Sequence, residues 1–141
     1  MSPGGRGTRT GRVHEKLIKQ ALLENYAGAF KEQVVIGNDL FGNKYKADFV
    51  LNDEIIISAK WQQTRGTAEQ KIVYEIITLV KILKENPKYK KAYIIISGTG
   101  YTKKAKDFYL NQKHIDYIKE GDLIEILSFE DFVKRSNLKL L

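Results

Sequence analysis

Lys46-Ala47-Asp48-Phe49-Val50-Leu51-Asn52-Asp53-Glu54-Ile55-Ile56-Ile57-Ser58-Ala59-Lys60-Trp61-Gln62 joins two apolar runs through a turn and leaves polar groups at their far ends. The Asn-Asp pair within Leu51-Asn52-Asp53-Glu54 suits the left-handed or tight backbone angles of a short loop, so the runs are predicted to pair as an antiparallel hairpin. Strand alternation puts Ile56, Ser58 and Lys60 on one face of the second strand, and Ile55, Ile57, Ala59 and Trp61 on the other. Asp48, near the start of the hairpin, comes alongside Ser58 and Lys60 if the sheet twists as usual and the strands separate a little. A carboxylate and an ammonium then share a site. Taken alone, an Asp and a Lys so spaced also describe a solvated strand end.

The wider pattern resembles the PD-(D/E)xK nuclease superfamily, in which an Asp starts one strand of a hairpin and an acid-x-Lys triplet lies on the next. Asp48 matches the first acid and Lys60 the lysine. Ala47 stands in place of the proline, and Ser58 in place of the second acid. In one branch of the restriction endonucleases of this superfamily the triplet reads Ser-x-Lys and the second acid has moved to the following helix, an arrangement that Ser58-Ala59-Lys60 resembles. The helix predicted over Thr67 to Glu85 carries Glu69 and Glu75 at the flanks of an apolar stripe of Ile72, Ile76, Leu79 and Leu83. Glu75 lies close to the migrated position. Glu69, in the first turn, competes with it, and either also reads as a solvated surface charge. Gln70 and Tyr74, spaced i, i+4 on the same helix, resemble the Gln-xxx-Tyr motif of some of these nucleases. Glu15 matches a first-helix Glu that helps hold metal in many of them, and equally suits a carboxylate favoured by a helix N-terminus.

The order of elements is a separate line of reasoning. The chain is long enough for one domain with a proper core. Val13, Leu17, Ile18, Ala21 and Leu22 recur at helical spacing, predicting a first helix over about Arg12 to Tyr26. A short strand at Val34 to Ile36, a turn-rich link from Gly37 to Gly42, and hairpin strands at Tyr45 to Leu51 and Ile55 to Trp61 follow. Thr64-Arg65-Gly66-Thr67 is the predicted loop into the long helix, which ends near Asn86-Pro87 because proline and the residue before it disfavour continuation. Tyr93 to Ile96 suits a central buried strand. The succession αβββαβ is that of the restriction-endonuclease-like core, an α/β fold with a mixed central sheet flanked by helices. Gly98-Thr99-Gly100, lacking the P-loop pattern, reads as a strand-to-helix turn. A helix over Thr102 to Asn111, a strand over Leu123 to Leu127 and a last helix capped by Ser128 and Asp131 complete the domain. The expected organisation is a flexible basic arm over residues 1–11 and a single nuclease-like domain over residues 12–141.

A net charge of +7 and a pI near 9.5 favour an anionic partner, and lysines cluster at Lys84 to Lys91 and Lys103 to Lys106. Arg6, Arg9 and Arg12 are candidates to track phosphates or enter a minor groove. The absence of cysteine removes disulfides, thiol nucleophiles and cysteine zinc sites, and fits a reducing interior. His14 and His114 are too few and too separated to imply a histidine metal site. With no stretch apolar enough for a bilayer and no secretory leader pattern, the expectation is a soluble, intracellular, cytoplasmic protein.

The resemblance implies hydrolysis of a phosphodiester with Mg²⁺, for which Mn²⁺ can substitute. Asp48 and the helix acid, Glu75 or Glu69, would hold the ion together with a backbone carbonyl on the Ala59 strand. Lys60 would orient or deprotonate the attacking water and Ser58 would hydrogen-bond water at the metal. Gln62 and Gln70 would position the DNA backbone or a base. The expected protein is a Mg²⁺-dependent DNA endonuclease, with restriction-type cleavage of duplex DNA leading and a homodimer or higher symmetric assembly implied by double-strand cleavage. A Holliday-junction resolvase, a homing endonuclease, an inactive DNA-binding module and a basic interaction protein are the alternatives.

Overall fold

The structure is a computed structural model that describes residues 3–62 and 68–141, with side chains from residue 11 onward except at residue 68. Its elements run α1 (Pro3–Tyr26), β1 (Phe30–Asn38), β2 (Lys44–Leu51), β3 (Ile55–Trp61), α2 (Ala68–Glu85), β4 (Lys91–Ser97), α3 (Lys103–Leu110), β5 (Ile124–Ser128) and α4 (Phe129–Asn137), with short 3-10 turns at Lys113–Asp116 and Gly121–Leu123. The five strands lie in sequence order in one sheet. β1 to β3 form an antiparallel meander, and β3, β4 and β5 run parallel. This is the mixed sheet and αβββαβ order that the sequence predicts, extended by α3, β5 and α4.

Physical chemistry dictates where the helices go. Two parallel crossovers in the same direction across a sheet place both connecting helices on one face, and α2 and α3 do share a face. Ile72, Ile76, Leu79, Ile82 and Tyr109 pack there with Ile56, Ile94 and Ile126. On the other face Ile18 and Leu22 of α1 and Phe132 of α4 cover Phe49, Ile57, Tyr93 and Ile95. The central strands are therefore apolar on both faces, and Tyr93 to Ile95 are 0% exposed. Ser128 caps α4 as expected, its Oγ accepting the Asp131 N–H at 3.1 Å.

Two features depart from the sequence expectations, and a third, the expected strand-to-helix turn at Gly98, adds a contact to them. The helical backbone of α1 begins at Pro3 rather than near Arg12. Glycine disfavours a helix, so the sequence points to an arm, whereas proline is well suited to a first helical position. The side chains of Arg6 and Arg9 lie outside the described residues, as does the predicted 64–67 loop. β1 spans nine residues, where alternation is visible only over Val34 to Ile36; the Lys31-Glu32-Gln33 stretch that follows Phe30 is exposed and polar and hides the strand. The Gly98-Thr99-Gly100 segment locks onto the end of β3: the Gln62 N–H donates to Ser97 O at 3.0 Å and the Gly100 N–H to Gln62 O at 2.8 Å. Gly98 has φ +102°, and a Cβ there would stand 2.1 Å from the Gln62 carbonyl oxygen. Only glycine fits this close approach.

Candidate active site

The hairpin partners are in register only from Phe49↔Ile57 to the turn. Beyond that point the ladder opens, and the Asp48 carboxylate enters the gap, its Oδ2 accepting the Ala59 N–H at 2.8 Å. A side chain thus replaces a ladder hydrogen bond and seats Asp48 against β3. Ser58, 1% exposed, points from β3 toward α2 because it continues the face of Ile56.

Glu75 completes the constellation from α2. It is 6% exposed, which demands partners for its charge. Its Oε2 accepts the Tyr45 hydroxyl at 2.5 Å and the Ser58 hydroxyl at 2.6 Å, in the range of charge-assisted O–H···O⁻ bonds. Lys60 Nζ lies 3.3 Å from the same oxygen. Ser58, where the triplet's second acid would stand, is therefore bonded directly to the helix acid. Tyr101 holds the Lys60 backbone, donating its hydroxyl to Lys60 O at 3.2 Å.

Electrostatics link the acids. Burial is the main cause raising the Asp48 pKa, opposed by the Ala59 N–H and Lys60 and reinforced by Glu75. Glu15, half-buried on α1, is raised first by burial and then by the charge of Asp48, with Lys60 acting the other way. Asp48 and Lys60 thus each interact with both Glu15 and Glu75. Among the described residues, no three acidic or imidazole side chains converge in the manner of a carboxylate cage. The donor set still suits a hard divalent cation: its side-chain donors are carboxylate oxygens, and Mg²⁺ is ordinarily held by one or two carboxylates while keeping several waters. Asp48, Glu75 and the backbone of β3 at Ala59 would hold it.

The family model of a PD-(D/E)XK nuclease superfamily domain matches residues 6–140. The chain belongs to the PD-(D/E)XK nuclease superfamily. No curated protein and no solved structure matches it. Nucleases of the PD-(D/E)XK superfamily generally use divalent metals, in keeping with the oxygen donors. In this PD-(D/E)XK domain no helix among the described residues is long and apolar enough to cross a membrane.

The remaining sequence candidates are dispersed around the PD-(D/E)XK centre. Glu69 turns to α3, where it accepts the Thr102 backbone N–H and lies 3.3 Å from the Thr102 hydroxyl; Tyr109 donates to its carbonyl. Gln62 is buried at 5% exposure and its amide nitrogen donates to Gly100 O at 3.0 Å, so this side chain braces the loop instead of facing solvent. Gln70 is exposed on α2. Tyr74 stacks on Phe41 with ring centroids 6.0 Å apart and planes 12° from parallel. Arg12 is exposed and its charge acts on Glu15.

Two neighbours of the centre escaped the sequence. Tyr45 reads from the sequence only as a residue of the first hairpin strand, although a half-buried tyrosine hydroxyl needs a partner, which here is Glu75 of α2. His14 is 3% exposed and packed between Trp61 and Phe129, with centroid distances of 5.5 and 5.7 Å. Burial lowers its pKa, and neither ring nitrogen is hydrogen-bonded among the described residues. No sequence signal separates such a histidine from an ordinary core residue.

Proposed function

We propose that this nuclease domain is a Mg²⁺-dependent DNA endonuclease, with Asp48, Glu75 and Lys60 at its centre and Glu15 and Ser58 in support. The observation that carries it is the contact of Glu75 Oε2 with both Ser58 Oγ and Lys60 Nζ, at 2.6 and 3.3 Å. That contact gives the Ser-x-Lys strand an acid in space where it lacks one in sequence. When bound, the divalent ion lowers the pKa of water and offsets charge at the phosphate. Asp48, fixed by the Ala59 N–H, and Glu75, fixed by two hydroxyls, hold carboxylate oxygens in place before any ligand arrives, which is what a metal site requires.

Lys60, with its side chain 39% exposed at the mouth of the site, is the group that meets substrate. Its ammonium orients the attacking water and balances negative charge accumulating on the phosphate oxygens. Glu75 holds that ammonium on the β3 side. The net charge of +7 favours a polyanionic substrate, and Arg12, exposed near Glu15, is positioned for a phosphate. Restriction-type cutting of duplex DNA is the leading subtype, and it calls for two copies of the domain, one per strand.

Incubating the full chain with supercoiled plasmid and with a synthetic four-way junction, in Mg²⁺ or EDTA, separates the subtypes. Discrete plasmid fragments in Mg²⁺ support the duplex-cutting enzyme. Symmetric nicks in the junction with an untouched plasmid transfer the chain to the resolvases. Salt-sensitive binding without any cutting identifies an inactive binding module.

A further inference from the structure

Asp48 sits where two adjacent strands change phase together. Tyr45 and Ala47 pack with the α2 side of the sheet, whereas Phe49 and Leu51, also odd-numbered, pack with the α1 side. Simple alternation would keep all four on one face. The neighbouring strand does the same: Phe30 packs toward α1, but Val34 and Ile36 pack toward α2. The reversal on β1 has a visible hinge. Gln33 has φ 51°, a left-handed backbone that a residue with a side chain seldom adopts within a strand. The ladder pairs Glu32 with Phe49 and Val34 with Ala47, leaving Gln33 and Asp48 facing each other across the interruption.

The two facing side chains interact: against the dominant effect of burial, the Gln33 amide favours the charged Asp48 carboxyl that it faces across the strands. A carboxylate has only acceptors, so the amide nitrogen is the group that favours it. Asp48 is then met from both flanking strands, by a hydrogen bond from the Ala59 N–H of β3 at 2.8 Å and by the facing Gln33 of β1. Packing does not ask for glutamine here: the side chain is exposed, and glycine would adopt this φ without steric conflict. Unusual backbone conformations that persist in this way gather at functional sites.

We propose that Gln33 is a positioning residue for Asp48, fixing the orientation of the carboxylate that receives the divalent metal. This rests on the nuclease reading above and adds a residue of β1 to that site. A hydrogen-bond partner behind a ligating carboxylate restricts its rotation, and losing such a partner typically weakens metal binding or activity by about 10–100-fold.

The test uses the full chain with Gln33→Gly, which removes the amide and relieves the backbone, and Gln33→Met, which keeps the length and removes only the amide. Three quantities are measured: Mn²⁺ affinity by calorimetry, the carboxyl ¹³C resonance of Asp48 in metal-free protein, and Mg²⁺-dependent DNA cleavage. Gln33→Gly is expected to melt no lower than wild type. Both variants are expected to shift the Asp48 resonance, bind Mn²⁺ about tenfold or more weakly, and cut correspondingly more slowly. Mn²⁺ affinity and an Asp48 resonance unchanged in folded Gln33→Gly protein overturn the proposal, whatever the wild type does to DNA. A wild type that binds Mn²⁺, loses affinity in both variants and cuts no DNA upholds the positioning role while overturning the nuclease reading. A wild type that binds no Mn²⁺ overturns both.

Discussion

Ser58 and Glu75, seventeen residues apart, are joined by a 2.6 Å hydrogen bond that ties the Ser-x-Lys strand to the long crossover helix. The hydroxyl stands where the triplet's second acid would be, and the acid itself reaches the same place from α2. Exchanging the two side chains tests whether position in space is what matters. Glu75→Ser alone should lower cleavage by roughly a hundredfold or more, the scale of losing a charge-stabilising group at a reacting centre. Adding Ser58→Glu should recover a measurable part of that loss in single-turnover assays. A double variant no faster than Glu75→Ser would show that the two positions are not equivalent.

Tyr45 supplies the other short hydroxyl contact to Glu75, at 2.5 Å. Tyr45→Phe keeps the ring in the core and removes only this donor. Cleavage should fall by about 10–100-fold, as for other supporting partners of a ligating carboxylate. Stability should fall by about 1–3 kcal/mol, because a buried acceptor loses a partner. Urea unfolding beside a cleavage assay separates the two effects.

Burial raises the Asp48 pKa above its ordinary value, so the folded metal-free protein binds this proton more tightly than the unfolded chain does. Its contribution to stability is then fully present below the ordinary aspartate pKa and is lost as pH rises through the raised folded value. Asp48→Asn keeps an acceptor for the Ala59 N–H and removes the charge. The metal-free variant should melt higher than wild type at neutral pH and lose this part of the pH slope. It should also lose the stabilisation that Mg²⁺ gives the wild type. Thermal melts across pH 4–8, with and without metal, check the sign, and a lower neutral-pH Tm for metal-free Asp48→Asn would contradict it.

Glu69 binds the start of α3 through Thr102. Glu69→Ala should therefore cost about 1–2 kcal/mol, the scale of a lost capping or buried hydrogen bond. The cleavage rate of the folded protein should stay within about twofold of wild type, as expected for a change that leaves the reacting centre intact. A Mg²⁺ requirement that rises sharply in Glu69→Ala would instead make this residue a metal ligand.

Much of this architecture is legible in the residues. The hairpin has alternation, a turn pair and apolar runs; α2 has an amphipathic stripe and Pro87 after its end; Ser128 has a capping pattern. These signals are local, so each survives without knowledge of the rest of the fold. The side chains that Glu75 gathers are another matter. The resemblance to nucleases with a migrated acid suggests the contact, but Glu69 lies on the same helix and only the rotation of α2 on the sheet sends one acid to Ser58 and the other to Thr102. Tyr45 reaches Glu75 from the sheet to the helix packed on it, and Gln33 faces Asp48 across adjacent strands. The phase reversal at Gln33 is invisible in the sequence because a glutamine does not announce a left-handed backbone as glycine or asparagine does. Gln62 failed as a solvent-facing candidate for a related reason. Its side chain is claimed by a loop thirty-eight residues away, a contact that no motif encodes.

The most direct measurement is the rate of Mg²⁺-dependent DNA cleavage by wild type and by Lys60→Ala, with both proteins shown to be folded by their thermal melts. Lys60 is half-exposed beside Glu75, so its loss should leave the fold standing. The account predicts cleavage by the wild type, abolished by EDTA and lost in Lys60→Ala. Equal cutting by the two folded proteins would contradict the assignment of this centre.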